Sequence, residues 1–304
     1  MTQRQTAEDY MSAFTKLAVI GDVHGFWDAA DTAFFNQSDY DGLLFTGDLP
    51  RLTGGLDVAR ALARLEKPAW LVPGNHDGCT ALQLLAELKG WSRLCRLLST
   101  GMEGRVRRLA AALGPVRLAG YECLPLGDDL GLLVGRPHAM GPDRFYFRDY
   151  TRRRYGIGDY AQSAARLKAL VDSAPPRLIV LGHNGPAGLG ETAADIWGCD
   201  FSTRFGDFGD PDLRAAIDHA RDSGRQVLAV CAGHMHRRSK TGAERQPAVR
   251  EDGSLYLNAA SVSRQRHRGE HGHHVALTLQ AEGAAAEDIW IDRDGQILSR
   301  TALA

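Results

Sequence analysis

Carboxylate, imidazole and amide side chains recur in five short glycine-containing segments of the chain. These segments read GDVHG at 21–25, GD at 47–48, GNHD at 74–77, GHNG at 182–185 and GHMH at 233–236. Oxygen and nitrogen donors without a thiol favour a divalent ion such as manganese, iron, cobalt or zinc over copper(I). The donors outnumber the ligands that one ion requires. They therefore predict two ions, about 3.5–4 Å apart and bridged by a shared carboxylate.

Each segment follows a short apolar run, and this order predicts the elements that position the donors. The runs are typical of strands buried on both faces, and they lie at Leu17–Ile20, Leu43–Thr46, Trp70–Val72, Leu178–Leu181 and Val227–Val230. Amphipathic stretches between them predict helices at Phe26–Phe35, Leu56–Leu65, Tyr160–Val171 and Pro211–Arg221. In the last helix, Asp210 is the predicted N-cap, Pro211 the first residue, and Gly224 follows the end. In such α/β sheets, ligands bind at the carboxyl ends of the strands.

The rest of the pattern predicts one domain over residues 1–304, with further strands and one insertion. Strands are expected at Val116–Leu118, Leu132–Val134, Leu255–Leu257, Val275–Leu279 and Asp288–Ile291. The segment at about 136–160 mixes arginines with aromatic residues, and we expect it to be a lid or specificity insertion. Arg144 and Arg148 would bind phosphate there while an aromatic ring stacks on a base. The alternative is a surface helix whose aromatic residues pack against the domain.

The composition bounds the class of protein. The chain has 36 Lys+Arg and 37 Asp+Glu, a formal net charge of −1, so the whole molecule does not attract nucleic acid or anionic lipid. No apolar run reaches the length of a membrane span, and the N-terminus does not resemble a secretory signal. The five cysteines are scattered without a CxxC pair, which indicates small buried side chains in a reducing compartment. We therefore expect a cytoplasmic protein.

The ordered series D-x-H, GD, GNH-D/E, H and GHxH resembles the signature of the metallophosphoesterase superfamily, the calcineurin-like phosphoesterases, over about residues 17–260. The resemblance implies an α/β fold, a four-layer α/β/β/α sandwich of two facing mixed sheets flanked by helices. It implies one metal held by Asp22, His24, Asp48 and His236, and a second held by Asp48, Asn75, His183 and His234. Manganese is the expected ion, with iron, zinc, cobalt and nickel as alternatives. Three further segments, at 181–190, 206–213 and 256–261, are similar to an uncharacterised subfamily of cyanobacteria and plastids.

The resemblance and the donor chemistry together predict two-metal-dependent hydrolysis of phosphoric esters. A metal-bridging hydroxide would attack phosphorus in line, and His76 would assist the leaving group, so Asp48 and His76 are the expected catalytic residues. Small phosphodiesters, phosphomonoesters or nucleotide-like compounds are the expected substrates. A non-catalytic protein-binding scaffold on the same fold and a nuclease are the alternatives. An intact ligand set disfavours the scaffold, and the near-zero net charge disfavours the nuclease.

The sequence leaves the roles of several residues near these segments open. Serine/threonine phosphatases carry an aspartate at the position of Arg51, and this aspartate orients the catalytic histidine. Here Asp77 would either orient His76 or cap the following helix. Arg51 and Arg237 are candidate phosphate clamps because they lie close to the metal segments in sequence. A histidine-rich patch would form either a third metal site or solvated turns, and it comprises His267, His271, His273 and His274.

Overall fold

Two β-sheets lie at the centre of the computed structural model, which describes residues 14–202, 204–239, 242, 244–262 and 270–304. The strands are β1 (Lys16–Ile20), β2 (Gly42–Phe45), β3 (Ala69–Leu71), β4 (Arg117–Leu118), β5 (Glu122–Pro125), β6 (Leu130–Val134), β7 (Arg177–Leu181), β8 (Gln226–Ala232), β9 (Ala248–Glu251), β10 (Ser254–Asn258), β11 (Gly272–Gln280), β12 (Gly283–Ile291) and β13 (Ile297–Leu303). The helices are α1 (Ala29–Gln37), α2 (Leu56–Leu62), α3 (Ala81–Lys89), α4 (Ser92–Ser99), α5 (Met102–Ala112), α6 (Arg148–Tyr155), α7 (Tyr160–Asp172) and α8 (Pro211–Asp222).

Both sheets are mixed. The first has the order β13-β12-β11-β1-β2-β3-β4, in which β1 to β4 are parallel and β11 to β13 form an antiparallel edge. The second has the order β5-β6-β7-β8-β10-β9, and its central strands β6, β7, β8 and β10 are parallel. The carboxyl ends of β1, β2 and β3 in one sheet and of β7 and β8 in the other lead into the five polar segments.

Alternate residues of β1 face different apolar cores. Leu17 and Val19 lie in the core between the two sheets, together with Ile179 of the second sheet. Ala18 and Ile20 point the other way, into a core shared with α1, α2 and α5. A third core lies between the second sheet and helices α7 and α8. The layers therefore follow the order helix, sheet, sheet, helix, which confirms the predicted α/β sandwich.

The predicted start of one helix and the predicted cap of another need correction because of where their aspartates bond. Helix α1 begins at Ala29 rather than Phe26, since Asp28 accepts hydrogen bonds from the Ala30 and Asp31 backbone and Asp31 bonds back to Asp28. Helix α8 begins at Pro211 as predicted, and Gly224 follows its end with φ +77°. Asp210 occupies its N-cap position, but the side chain makes no capping bond and instead pairs with buried Arg136.

Helices α4 and α5 and strands β5, β9 and β13 were not predicted. The helix expected after Asp77 is α3, and α6 is the surface helix given as the alternative for the 136–160 segment, with Tyr146 and Tyr150 packed in a core cluster. Helices α3, α5 and α6 and the segment before α6 enclose a small apolar cluster that includes Leu84, Met102, Phe147 and Tyr150. Among the predicted strands, β4 and β6 belong to different sheets, and β6 pairs with β5. Within the described ranges, no helix has the length and apolar character needed to cross a membrane.

Candidate metal centre

The five polar segments meet at one edge of the two sheets. They form two groups, Asp22 with His24 and His236, and Asp48 with His183 and His234. Within each group the candidate ligand atoms all lie within 4.8 Å of one another. In each group the ligands come from both sheets, so the centre spans the top of the sandwich.

The Nε2 atoms of His24 and His236 in the first group converge on the carboxylate of Asp22. His24 Nδ1 lies 3.3 Å from the Pro50 carbonyl oxygen. Because a carbonyl oxygen only accepts, Nδ1 carries the proton and Nε2 offers its lone pair to the centre. His24 Nε2 is 3.0 Å from His236 Nε2, which in turn is 3.3 Å from Asp22 Oδ2. Each of these short contacts needs a proton or a cation between its two atoms, and one metal ion would satisfy both contacts.

The second group has the same construction and adds an amide. His183 Nδ1 lies 2.6 Å from the Thr46 carbonyl oxygen, which directs Nε2 to the centre. His183 Nε2 is 2.9 Å from Asn75 Oδ1 and 3.6 Å from Asp48 Oδ2. The same Asp48 oxygen is 3.9 Å from His24 Nε2 of the first group. Asp48 therefore lies between the groups, where a bridging carboxylate would be needed.

Four of the candidate ligands have a left-handed backbone conformation. Asp22, His24, Asp48 and His234 have positive φ values of 30°, 47°, 51° and 64°. Such conformations are costly for residues other than glycine and concentrate at functional sites. A Cβ atom on Gly74 would lie 2.2 Å from Asp48 Oδ1. The glycines of the motifs thus allow neighbouring loops to approach the ligands closely.

Buried charge makes this region attractive to cations. Burial alone would raise the pKa of the Asp22 carboxyl, but the hydrogen bond with His236 and the charge of nearby histidines lower the pKa below its usual range. The pKa of Asp48 is also lowered, because His183 and His76 outweigh the effect of burial. Burial lowers the pKa of His234 to about 3, which keeps this imidazole in the neutral form that binds metals.

His76 lies beside the second group and remains accessible. Its backbone N–H donates to Asp48 Oδ1 at 2.9 Å, and its Nε2 is 3.9 Å from Asp48 Oδ2. Its Nδ1 contacts the backbone carbonyl of Leu52. The Leu52 carbonyl therefore fixes the orientation of the His76 ring. From the sequence, Asp77 was the only candidate for this role.

Asp77 has neither of the two roles considered from the sequence. Its carboxylate is fully buried and accepts hydrogen bonds from the backbone N–H groups of Asp48, Leu49 and Gly74 at 2.8, 3.0 and 2.7 Å. Helix α3 is capped instead by Thr80, which accepts from the Gln83 N–H. Asp77 therefore ties the loop after β2 to the loop after β3.

None of the four candidate substrate arginines lines the cavity that contains His24, Asp48, Asn75 and His76. Arg237 lines a neighbouring cavity of about 480 Å³ that also includes His236. Arg51 is exposed and lies over the Phe26 ring, Arg144 bonds to the Glu87 carbonyl, and Arg148 is exposed at the start of α6. Arg237 is buried in an ion pair with Asp288.

Two arginines that the sequence analysis did not select do line the first of these cavities, which measures about 390 Å³. Arg238 is exposed, whereas Arg245 is buried and pairs with Asp200 at 2.9 Å. Arg238 directly follows GHMH and Arg237, so adjacency to that motif was the available signal.

Two members of the histidine-rich patch have their side chains buried on a strand rather than in solvated turns, whereas half-buried His271 directly precedes that strand. His273 and His274 lie in β11, where His273 bonds to Asp288 at 3.0 Å and the His274 Nε2 atom shares a hydrogen bond of 2.8 Å with the Tyr40 hydroxyl. His267 lies outside the described residues. Across the described ranges, the only clusters of His, Cys, Asp and Glu suited to a metal are the two groups above.

Comparison with known proteins agrees with this geometry. The sequence model of the calcineurin-like phosphoesterases, Metallophos, matches residues 15–238. The chain belongs to this family. The match confirms the resemblance read from the five motifs, while the finer likeness to a subfamily of cyanobacteria and plastids stays a prediction.

Solved structures resemble this chain at low sequence identity. One crystal structure covers 90% of this chain and 98% of its own, with 11% identity and a TM-score of 0.54. A crystal structure of TT1561 from Thermus thermophilus covers the same shares at 14% identity, with a TM-score of 0.49. The sulfate thiohydrolase SoxB of Thermus thermophilus, in complex with glycerol, covers 86% of this chain and 38% of its own, at 14% identity and a TM-score of 0.38. The curated proteins gave no match.

Proposed function

We propose that this protein hydrolyses phosphoric esters with two divalent metal ions. The observation that carries the proposal is the convergence of two donor groups on the single carboxylate of Asp48. Asp22, His24 and His236 would hold one ion together with Asp48. Asn75, His183 and His234 would hold the other, again with Asp48. Manganese is the ion we propose, since oxygen and imidazole donors suit it.

The ions and the side chains have separate tasks in this proposal. When bound, two divalent ions neutralise phosphoryl oxygens and lower the pKa of water at the site towards neutrality. Asp22 and Asp48 supply the buried negative charge that attracts the ions. Asn75 offers an amide oxygen, so it adds a donor without a further full charge beside Asp48.

His76 is the residue we propose to assist the leaving group. Its Nδ1 contacts the Leu52 carbonyl, and its Nε2 lies 3.9 Å from Asp48 Oδ2. Both His76 and Asp48 line the cavity. About 22% of the side chain is exposed, so a substrate can reach it. From this position a protonated Nε2 donates to the departing alkoxide or to a phosphoryl oxygen.

Substrate contact also requires a cation outside the metal ligands. Arg238 is exposed and lines the cavity, and we propose that it binds a non-bridging phosphoryl oxygen of the substrate. Arg245 is occupied by Asp200 and the Gly198 carbonyl, so it supports the cavity instead. Small phosphodiesters and phosphomonoesters are the proposed substrates, and the cytoplasm is the proposed location.

Hydrolysis of bis-p-nitrophenyl phosphate and p-nitrophenyl phosphate, with and without Mn²⁺, tests this proposal. The metal content of the same samples is measured by mass spectrometry. The proposal predicts turnover that requires Mn²⁺ and reaches its maximum at two ions per chain. Two bound ions with no hydrolysis of either ester would instead favour a binding role for the fold.

A further inference from the structure

The cavity beside the donor groups has a side that the proposed chemistry does not use. His76, Asp48 and Asn75 line one part of it. The remainder includes an apolar wall, defined here by Leu84, Leu88, Met140, Tyr146, Phe201 and Phe208. A volume of about 390 Å³ lies in the range of small-molecule sites and exceeds what a phosphoryl group alone requires.

Most of the apolar wall is preformed. Leu84, Met140 and Tyr146 are buried in the same cluster as Phe147 and Tyr150, which joins α3 to the segment before α6. Phe208 is buried in the core beneath the second sheet and packs edge-on against Phe201, with ring centroids 4.8 Å apart. A ligand would therefore meet a wall that is already packed, with little ordering to offset its binding.

Two members of the apolar wall are left partly open. Leu88 is 50% exposed and Phe201 is 47% exposed, although both are large apolar side chains. A ligand that covered them would remove apolar area from water, which favours binding. The Tyr146 hydroxyl already donates to Asp143 Oδ2 at 2.8 Å. The wall thus offers few polar atoms to a hydroxyl-rich ligand.

We infer that the cavity takes phosphate esters whose alcohol group is apolar, with an aryl group as the best fit. The inference rests on the proposed function, since it places the phosphoryl group at the donor groups and the alcohol against the apolar wall. Esters of sugars and other polyols would lose hydration along this wall without gaining hydrogen bonds. They are therefore the poorer substrates.

Three aryl phosphates with leaving phenols of similar acidity separate this inference from general reactivity. We compare phenyl phosphate, 2-naphthyl phosphate and 3-(hydroxymethyl)phenyl phosphate in the Mn²⁺-loaded protein. Burial of the second naphthyl ring predicts a kcat/KM about tenfold above that of the phenyl ester. The hydroxymethyl ester is expected to fall below the phenyl ester. Equal or reversed values would overturn the inference.

A matched pair of variants on one helix assigns the preference to the apolar wall. Leu88→Ser is expected to reduce the naphthyl-to-phenyl ratio of kcat/KM about threefold or more, because it removes apolar area from the cavity. Leu82→Ser is the control, since Leu82 is 49% exposed on the same helix α3 and does not line the cavity. Both variants undergo the same change of residue type, and thermal melts check that both are folded. An equal effect of the two substitutions on the ratio would overturn the assignment.

Binding of a non-hydrolysable analogue separates failure of the inference from failure of the proposed function. We titrate 2-naphthylmethylphosphonate and benzylphosphonate into wild-type protein and Leu88→Ser by calorimetry. Tighter binding of the naphthyl compound, lost in Leu88→Ser, supports the apolar wall even if every ester resists hydrolysis, in which case the proposed function is contradicted. Hydrolysis of the esters with equal binding of the two phosphonates overturns the inference and leaves the proposed function intact.

Discussion

Substitution of His76 tests the proposed mechanism at the level of a single residue. We expect His76→Ala to retain its metal ions, since none of the candidate ligands is removed, and to lose about 10²- to 10⁴-fold in kcat on esters with poor leaving groups. Esters with good leaving groups should lose less, because their departure needs no proton. Steady-state kinetics across both kinds of ester, beside the metal content, measure this difference.

The control for His76→Ala is His219→Ala. His219 lies in α8 and pairs with Asp172 away from the cavity. Its removal should leave kcat unchanged on every ester. A His76→Ala variant whose loss is the same for good and poor leaving groups would contradict proton donation by His76.

The position of His76 could be predicted from the sequence, but its hydrogen-bond partner could not. The spacing of GNHD placed His76 beside the metal ligands, but its Nδ1 contacts the backbone carbonyl of Leu52. Every residue carries such a carbonyl, so no residue type marks the position. Asp77 looked like a candidate because it is adjacent in sequence, yet its carboxylate accepts three backbone N–H groups.

The role of Asp77 predicts a coupled loss of stability and metal binding. Asp77→Asn would set an amide N–H₂ against at least one backbone N–H, so we expect the free energy of unfolding to fall by about 1–3 kcal/mol. The affinity for the second ion should fall too, because Asp77 fixes the loops that carry Asp48 and Asn75. Urea unfolding and a metal titration measure the two effects. Asp57→Asn on the exposed face of α2 is the control and should change neither, whereas wild-type affinity in Asp77→Asn would contradict this role.

At the scale of elements, the turns after the strands must approach one another without side chains between them. A Cβ atom on Gly74 would lie 2.2 Å from Asp48 Oδ1 and 2.6 Å from His183 Cε1. Gly74→Ala should therefore displace the second donor group and lower the bound metal from two ions to one. Metal content and kcat/KM measure the effect.

Gly104→Ala is the matched control for the substitution at Gly74. Gly104 lies in α5, and a Cβ atom there would meet only the end of the Arg108 side chain at 3.8 Å. This substitution should raise the free energy of unfolding by about 0.5–1 kcal/mol through helix propensity and leave metal content unchanged. Two ions bound to Gly74→Ala would show that the loops can separate at no cost.

The strands that carry the ligands were predictable, whereas several helices were not. Strands β1, β2, β3, β7 and β8 are short apolar runs followed within three residues by a glycine, and they lie within one or two residues of their predicted positions. Helix α6 has the sequence RDYTRRRY and buries only Tyr150 and Thr151, so its apolar pattern is too sparse to fix the bounds of the helix. The cavity wall combines residues from three distant segments, and no local pattern predicts such a surface.

At the scale of the whole molecule, a buried histidine links stability to pH. His274 is a fully buried residue of β11 that packs against Phe34 and Phe35 of α1, and burial holds its pKa well below the usual value. The native chain keeps this imidazole neutral, while the unfolded chain takes up a proton below about pH 6.5. Stability from this group is therefore present above that pH and is lost as the pH falls, by about 1.4 kcal/mol per pH unit at most.

Substitution of His274 isolates this contribution from those of other histidines. His274→Leu should flatten the fall in unfolding free energy between pH 7.5 and 5.5 relative to the wild type. Urea unfolding of the metal-free protein at several pH values measures the slopes, with His219→Leu, partly exposed on α8, as the control. An unchanged slope in His274→Leu would contradict a neutral His274 in the folded chain.

The proposed function of the whole molecule depends on a paired metal centre. Anomalous diffraction from a Mn²⁺-loaded crystal tests for this centre most directly. We predict two manganese peaks about 3.5–4 Å apart, with Asp48 between them, Asp22, His24 and His236 on one, and Asn75, His183 and His234 on the other. The Asp48→Ala protein, measured in the same way, should lose at least one peak. A single peak, or peaks away from these side chains, would contradict the account.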